Sequence, residues 1–135
     1  MKRILIMGLP GSGKTMLATA LQAKLNAVWF NADTVRKQFN DWDFSVEGRI
    51  RQSQRMRELC DLSRATYAIA DFVCPLKEMR EIFSADIVIW VDTIKQGRFE
   101  DTNRAFIPPD KVDFHVTEQN AEHWAEVIAQ HILSP

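Results

Sequence analysis

The chain has 135 residues, enough for one folding unit with a real core and too few for two, so a single domain over 1–135 is expected. Apolar residues at 46% and charged residues at 26% are ordinary globular usage, which excludes a disordered or fibrous chain. With 17 Lys and Arg against 18 Asp and Glu, the formal net charge of -1 lacks the positive excess by which general nucleic-acid and anionic-membrane binders attract their partners. The expected partner is a small molecule, with no nucleic acid and no membrane.

The apolar start, Ile4 to Met7, stops at Gly8, too short for a signal-peptide core or a membrane span. Cys60 and Cys74 have no second pair beside them, so neither a disulfide framework nor a metal knuckle is expected. Both read as free thiols in a reducing cytoplasm.

Met1 to Met7 lacks polar alternation and predicts a strand buried on both faces. Lys14 to Leu25 follows as a helix, because Leu17, Leu21 and Leu25 recur every four residues. Ala27 to Phe30 predicts a second strand, after which Asp33 or Thr34 would cap a short helix through Phe39. A polar loop, Asn40 to Ser45, leads to a half-exposed charged helix from Val46 to about Arg64, where Val46, Ile50, Ser53, Met56 and Cys60 keep near-helical spacing. Tyr67 to Val73 predicts a third strand with Asp71 near its end, and Pro75 suits the first turn of a helix through Phe83. Ile87 to Val91 is the plainest buried strand. Asp92 to Asp110, with Gly97, Pro108, Pro109 and many charges, predicts a loop over a site and no regular element. Val112 to Val116 predicts a fifth strand, and Asn120 would cap a last helix with Trp124, Val127, Ile128 and Ile132 on its apolar stripe.

Strands alternating with helices imply right-handed crossovers and a mostly parallel five-stranded sheet with helices on both faces, a three-layer α/β fold. Ligands of such sheets bind beyond the carboxyl ends of the strands.

Gly8-Leu9-Pro10-Gly11-Ser12-Gly13-Lys14-Thr15 lies between the first strand and the first helix and fits G-x-x-x-x-G-K-[ST], the P-loop. The loop formed by Gly8, Pro10, Gly11, Ser12 and Gly13 would wrap the phosphates of ATP, its free backbone N–H groups pointing at them. Lys14 would reach the β and γ groups, and Thr15 would hold Mg²⁺. The alternative is a glycine-rich turn without a ligand. No guanine-reading motif follows, and the chain is too small for a helicase or motor core. Asp33, just beyond the second strand, would either orient an acceptor hydroxyl and help hold Mg²⁺ or serve only as a helix cap. Arg36, Arg49 and Arg55 are candidates for an anionic substrate, whereas Arg51, Arg57 and Arg64 read as solvated.

The order GLPGSGKT, NADTVR, FSVEGRIRQSQRMREL, ADFVCP and IWVDT resembles the adenylylsulfate kinase family across roughly the first two thirds of the chain. The tail FIPPDKVDFHV also looks like that family's segment after the lid. This resemblance implies a P-loop NTPase fold and an ATP-dependent kinase that phosphorylates the 3′-hydroxyl of adenylylsulfate. It implies phosphate and catalytic roles for Lys14, a catalytic role for Asp33, and substrate contacts from Asp33, Arg36, Phe44, Arg49, Gln52, Phe72, Val73 and Cys74. Thr15, Asp33 and Asp71 are the implied Mg²⁺ ligands, and a homodimer is the implied assembly. Asn31, Thr34, Gln52 and Cys74 stand where the family pattern has Asp, Asn, Asn and Ser. Only about Ile94 to Phe106 fills the place of the family's Lys-rich lid. Lys95, Arg98 and Arg104 are lid cations or solvated charges, and Phe99 or Phe106 stacks on a base or anchors the loop.

The alternatives are a P-loop phosphotransferase acting on a nucleoside, sugar or polynucleotide 5′-hydroxyl, or a catalytically weak nucleotide-binding regulator. His115, His123 and His131 lack metal-ligand spacing. Of the tryptophans, Trp29, Trp90 and Trp124 read as core or half-buried, and Trp42 is the one candidate for a ligand contact.

Overall fold

The computed structural model describes residues 1–135. Five strands, β1 (Lys2–Met7), β2 (Val28–Asn31), β3 (Tyr67–Asp71), β4 (Ile87–Val91) and β5 (Phe114–Val116), form one sheet in the order β2-β3-β1-β4-β5. Every pairing is parallel, and the register sets Ile4 against Ile69 and Ile87. The helices are α1 (Lys14–Leu25), α2 (Ala32–Phe39), α3 (Val46–Ser63), α4 (Lys77–Phe83), α5 (Glu100–Ala105) and α6 (Ala121–Leu133).

The unbroken apolar run in β1 exists because both faces of the sheet are covered. On one face Ile4, Ile6, Ile69 and Ile89 pack with Leu17 and Leu21 of α1 and Ile128 of α6. On the other, Leu5, Met7 and Ala70 meet Met56 and Cys60 of α3 and Met79 and Phe83 of α4. The chain leaves β1 toward β2 on one side and later places β4 on the other, which opens a crevice at the carboxyl ends of β1 and β3.

Several boundaries differ from those expected. Asn31, the last residue of β2, caps α2 through Oδ1, which accepts from the Thr34 N–H at 3.1 Å, so neither Asp33 nor Thr34 is the cap. The helix begins at once after the strand and leaves no turn in which those residues could serve. Pro75 precedes α4, whose first helical residue is Lys77. The stretch expected to be irregular contains α5, a short helix whose single buried residue, Thr102, leaves no periodicity to read. No helix is long and apolar enough to cross a membrane.

The loop from Asn40 to Ser45 is braced by charge. Asp41 Oδ2 accepts from Arg51 Nε at 2.8 Å and from Arg55 Nη2 at 2.9 Å, and Asp43 Oδ2 accepts from Arg51 Nη2 at 3.1 Å. Arg36 Nη1 donates to the carbonyls of Asp41 and Asp43, so the backbone on both sides of Trp42 is held. Arg51 is therefore a structural cation, not a freely solvated one.

The Arg51 and Arg55 guanidiniums hold the Asp41 carboxyl well below the usual carboxylate range. A carboxylate whose pKa is depressed in the folded state contributes stability above its unfolded pKa, and that contribution is lost as pH falls through the folded value. Asp41→Asn is accordingly expected to be less stable than the parent in urea denaturation at neutral pH. The gap should close as pH falls below the ordinary aspartate value of about 4. A gap that does not change with pH would contradict this account.

Candidate active site

The segment between β1 and α1 turns on Gly8, whose φ of +152° brings its backbone against the carbonyl of Val91 at the end of β4, where a Cβ would collide. The Ser12 N–H donates to the Leu9 carbonyl at 3.1 Å, and the Ser12 carbonyl accepts from Thr93 Oγ1 at 2.6 Å. Gly13, at φ +106°, precedes α1 without a side-chain cap, leaving the first amides of a 12-residue helix free for an anion.

Lys14 folds back so that Nζ donates to the Leu9 carbonyl at 3.0 Å. Burial lowers its pKa, opposed by the charges of Asp71 and Asp33. Asp71, ending β3, is 2% exposed. Its Oδ2 accepts from Thr15 Oγ1 at 3.2 Å and Asn31 Nδ2 at 3.1 Å. Burial raises its pKa despite these donors and the Lys14 charge.

These groups open onto a cavity of about 750 Å³. Its phosphate-loop side is Pro10, Gly11, Gly13, Lys14 and Thr15, and its opposite wall is Asp33, Arg36, Phe44, Arg49 and Gln52. Asp71, Phe72, Val73 and Cys74 lie between the two walls, and Trp42 stands at the side with Phe44. Gly8 and Ser12 lie behind the surface, holding the shape of the loop. Arg55 does not reach the cavity; it bonds Asp41 and the Gln52 Oε1.

The opposite wall is cationic and largely preformed. Arg36 and Arg49 place their guanidinium carbons 4.2 and 5.7 Å from the centroid of the Phe44 ring. Arg36 commits Nη1 to loop carbonyls, and burial lowers its pKa, while a guanidinium remains a cation. Arg49, 6% exposed, donates through Nε to the Phe44 carbonyl. Its Nη2 lies 3.8 Å from Asp101 Oδ2 on α5, an acid that is mostly exposed. Gln52 Nε2 donates to the Ala32 carbonyl, so its amide ties α3 to α2.

Cys74 sits at φ +50° with its thiol buried and pushed up to about 12, so it is a protonated packing group and no nucleophile. The segment after β4 supplies Arg98, Phe99, Asp101 and Thr102 to the cavity. Asp101 was not legible as a site residue, because a short acidic turn in a charged loop carries no spacing signal. Phe106 instead anchors the loop, stacked on Trp90 at 6.4 Å with Arg80 over it. His115 pairs with Asp92 at 2.9 Å and stacks on Trp90, away from this cavity.

No cluster of three His, Cys, Asp or Glu side chains makes a self-sufficient metal cage. The Thr15 hydroxyl and Asp71 carboxylate, adjoining hard oxygen donors, fit a Mg²⁺ ion whose other ligands come from phosphate and water.

The sequence profile of a family described as adenylylsulphate kinase matches residues 2–93, about two thirds of the chain. No curated protein matches in sequence closely enough to count as a relative. Among solved structures, the Mycobacterium tuberculosis APS kinase in complex with AMPPNP and APS shares 20% identity, covers 98% of each chain and superposes with a TM-score of 0.79. Shikimate kinase from Acinetobacter baumannii, in complex with shikimate, shares 21% identity over 98% of this chain and 93% of its own, with a TM-score of 0.67. A sugar kinase from Janibacter shares 16% identity over 98% and 94%, with a TM-score of 0.73. At these identities the superpositions establish the fold, and the family profile establishes the lineage. The chain belongs to the adenylylsulphate kinase family and is an ATP-dependent P-loop kinase.

Proposed function

We propose that this kinase transfers the γ-phosphoryl group of MgATP to the 3′-hydroxyl of adenylylsulfate, giving 3′-phosphoadenylylsulfate and ADP. The observation that carries the reading is the continuity of one cavity from Lys14 and Thr15 to the Arg36, Arg49 and Phe44 wall, with Asp33 lining the same space. A nucleoside with an anionic tail suits an aromatic face beside two guanidiniums. The M. tuberculosis enzyme of the same fold, solved with AMPPNP and APS, supports the same pairing of ligands.

Lys14 and the free amides at the start of α1 bind the phosphates. Arg36 and Arg49 fix the acceptor's anionic groups, and Phe44 takes its flat face, so that the hydroxyl is presented rather than merely captured. Asp33 orients that hydroxyl and accepts its proton. The new bond joins the acceptor oxygen to the γ-phosphorus, while the bond to the β–γ bridging oxygen breaks and ADP leaves with its electron pair. Thr15 and Asp71 would hold Mg²⁺, which when bound neutralises phosphate charge that builds up in transfer. Cys60 and Cys74 are both free thiols, which suits the reducing cytoplasm in which we place the enzyme.

A second reading, a less anionic hydroxyl acceptor such as a nucleoside or a sugar, is favoured by the Asp101 carboxylate that already faces Arg49. The test measures ADP formation from MgATP with and without adenylylsulfate and separates the products, with Lys14→Ala as the blank. Adenylylsulfate-dependent product supports the first reading; none, with ATP still bound, moves the assignment to another acceptor. Asp33→Asn should lower kcat by about 10²- to 10⁴-fold, the range for loss of a general base, with ATP affinity retained. A loss confined to ATP affinity would make Asp33 a metal or structural residue.

Because Asp101 occupies the approach to Arg49, an anionic acceptor must displace it. Asp101→Asn should therefore lower the acceptor KM by about two- to fivefold, the size of an exposed ion pair, and leave the ATP KM unchanged. A raised acceptor KM would mean that Asp101 contacts the acceptor instead.

A further inference from the structure

Strand β2 divides its side chains between the two faces of the sheet. Val28 and Phe30 pack on the side of α3 and α4, whereas Trp29 packs on the side of α1, against the cluster that contains Leu17, Leu21 and Ile69. Successive residues of a strand point to opposite faces, so Trp29 shares its face with Asn31. The parallel register sets Trp29 beside Ile69 and Asn31 beside Asp71, which places the indole one step behind the carboxylate on the same surface.

Any large apolar side chain would fill that place, but an indole brings an N–H with it. Trp29 is half-buried, yet its Nε1 is closed off from solvent and has no hydrogen-bond partner. A buried donor without an acceptor is costly, and here an acceptor stands close by. It is the Asp71 carboxyl, whose ionised form Trp29 favours together with Asn31, Lys14 and Thr15. The donors that already bond Asp71, Thr15 and Asn31, both use Oδ2, which leaves Oδ1 as the open acceptor.

We infer that Trp29 is a positioning residue: its indole N–H closes onto the open oxygen of Asp71 and holds that carboxylate in the orientation that faces the Mg²⁺ position beside Thr15. The inference rests on the assignment of Thr15 and Asp71 to the metal side of the cavity and is independent of which acceptor is used. A carboxylate bonded through one oxygen can still swing about its Cβ–Cγ bond, and a donor on the second oxygen fixes its plane. Trp29 does not line the cavity, so it acts through Asp71 and touches neither nucleotide nor acceptor.

The test titrates Mg²⁺ into the complex with ADP, followed by calorimetry and by the ¹⁵N–¹H signals of the four tryptophan indoles, in the parent, Trp29→Phe and Asp71→Ala. Trp29→Phe keeps an aromatic ring and loses the N–H, and the signal it lacks identifies Trp29 in the parent. Mg²⁺ should move that signal downfield in the parent, as an N–H moves on gaining a carboxylate acceptor, and leave it in place in Asp71→Ala. Trp29→Phe should need about three- to tenfold more Mg²⁺ for half-saturation, the size of one hydrogen bond, with ADP affinity in the absence of Mg²⁺ unchanged. A Mg²⁺ requirement equal to the parent's, or an equal movement of the Trp29 signal in Asp71→Ala, would overturn the role of Trp29 while leaving Asp71 at the metal. Should Trp29→Phe fail to fold, the same signal, assigned through the backbone resonances, decides by its movement in the parent and in Asp71→Ala. If Asp71→Ala takes up Mg²⁺ as tightly as the parent, the metal assignment falls, and the role of Trp29 with it.

Discussion

Lys14, at the start of α1, and Asp71, at the end of β3, are two opposite charges taken out of water, too far apart to form an ion pair. Burial moves each toward its neutral form, lowering the lysine and raising the aspartate, even though each charge opposes the other's shift. Their hydrogen bonds, to the Leu9 carbonyl and from Thr15 and Asn31, are too few to replace the lost water. What completes the set is a phosphate chain and a hard cation. The sheet, the Gly8 approach to β4 and the start of α1 together hold this arrangement open.

The acceptor wall uses the opposite strategy. Its arginines are bonded in advance to backbone carbonyls and to an aromatic face, and the loop beneath them is braced by Asp41, Asp43, Arg51 and Arg55. Holding guanidiniums this way moves the ordering cost from the binding step to folding. The segment between β4 and β5 that carries Arg98 and Asp101 extends the same logic, since paired hydrogen bonds between Gly97 and Asn103 fix its backbone in advance.

Much of this was legible in the residues. The P-loop spacing announced the phosphate side, because glycine positions, lysine and threonine must occur in that order for amides and side chains to converge. The β4 strand was read from its five apolar residues alone, since a strand covered on both faces tolerates no alternation. The positions of Arg36, Phe44 and Arg49 came from the family resemblance; spacing on α3 alone did not separate Arg49, in the cavity, from Arg55, bonded to Asp41. The α5 helix was missed because its six residues bury one side chain. The Asn31 cap was missed because a strand-ending residue that doubles as a helix cap leaves no turn signal. The Asp41 brace was also hidden, because its partners come from a helix that begins only after the loop ends.

This site carries buried charge at a cost in stability that only ligands offset. The raised Asp71 pKa means that its contribution to stability is present at acidic pH and withdrawn as pH rises through the folded value. The lowered Lys14 pKa means that its charged form is disfavoured by folding. The ionised form of each group opposes folding. The most direct measurement is urea denaturation, without nucleotide, of the parent and of the double variant Lys14→Met/Asp71→Asn, which removes both charges at similar volume. A double variant at least as stable as the parent is expected, because two costly buried charges are removed at once. A double variant less stable by more than about 2 kcal/mol, the scale of a lost buried interaction, would contradict it.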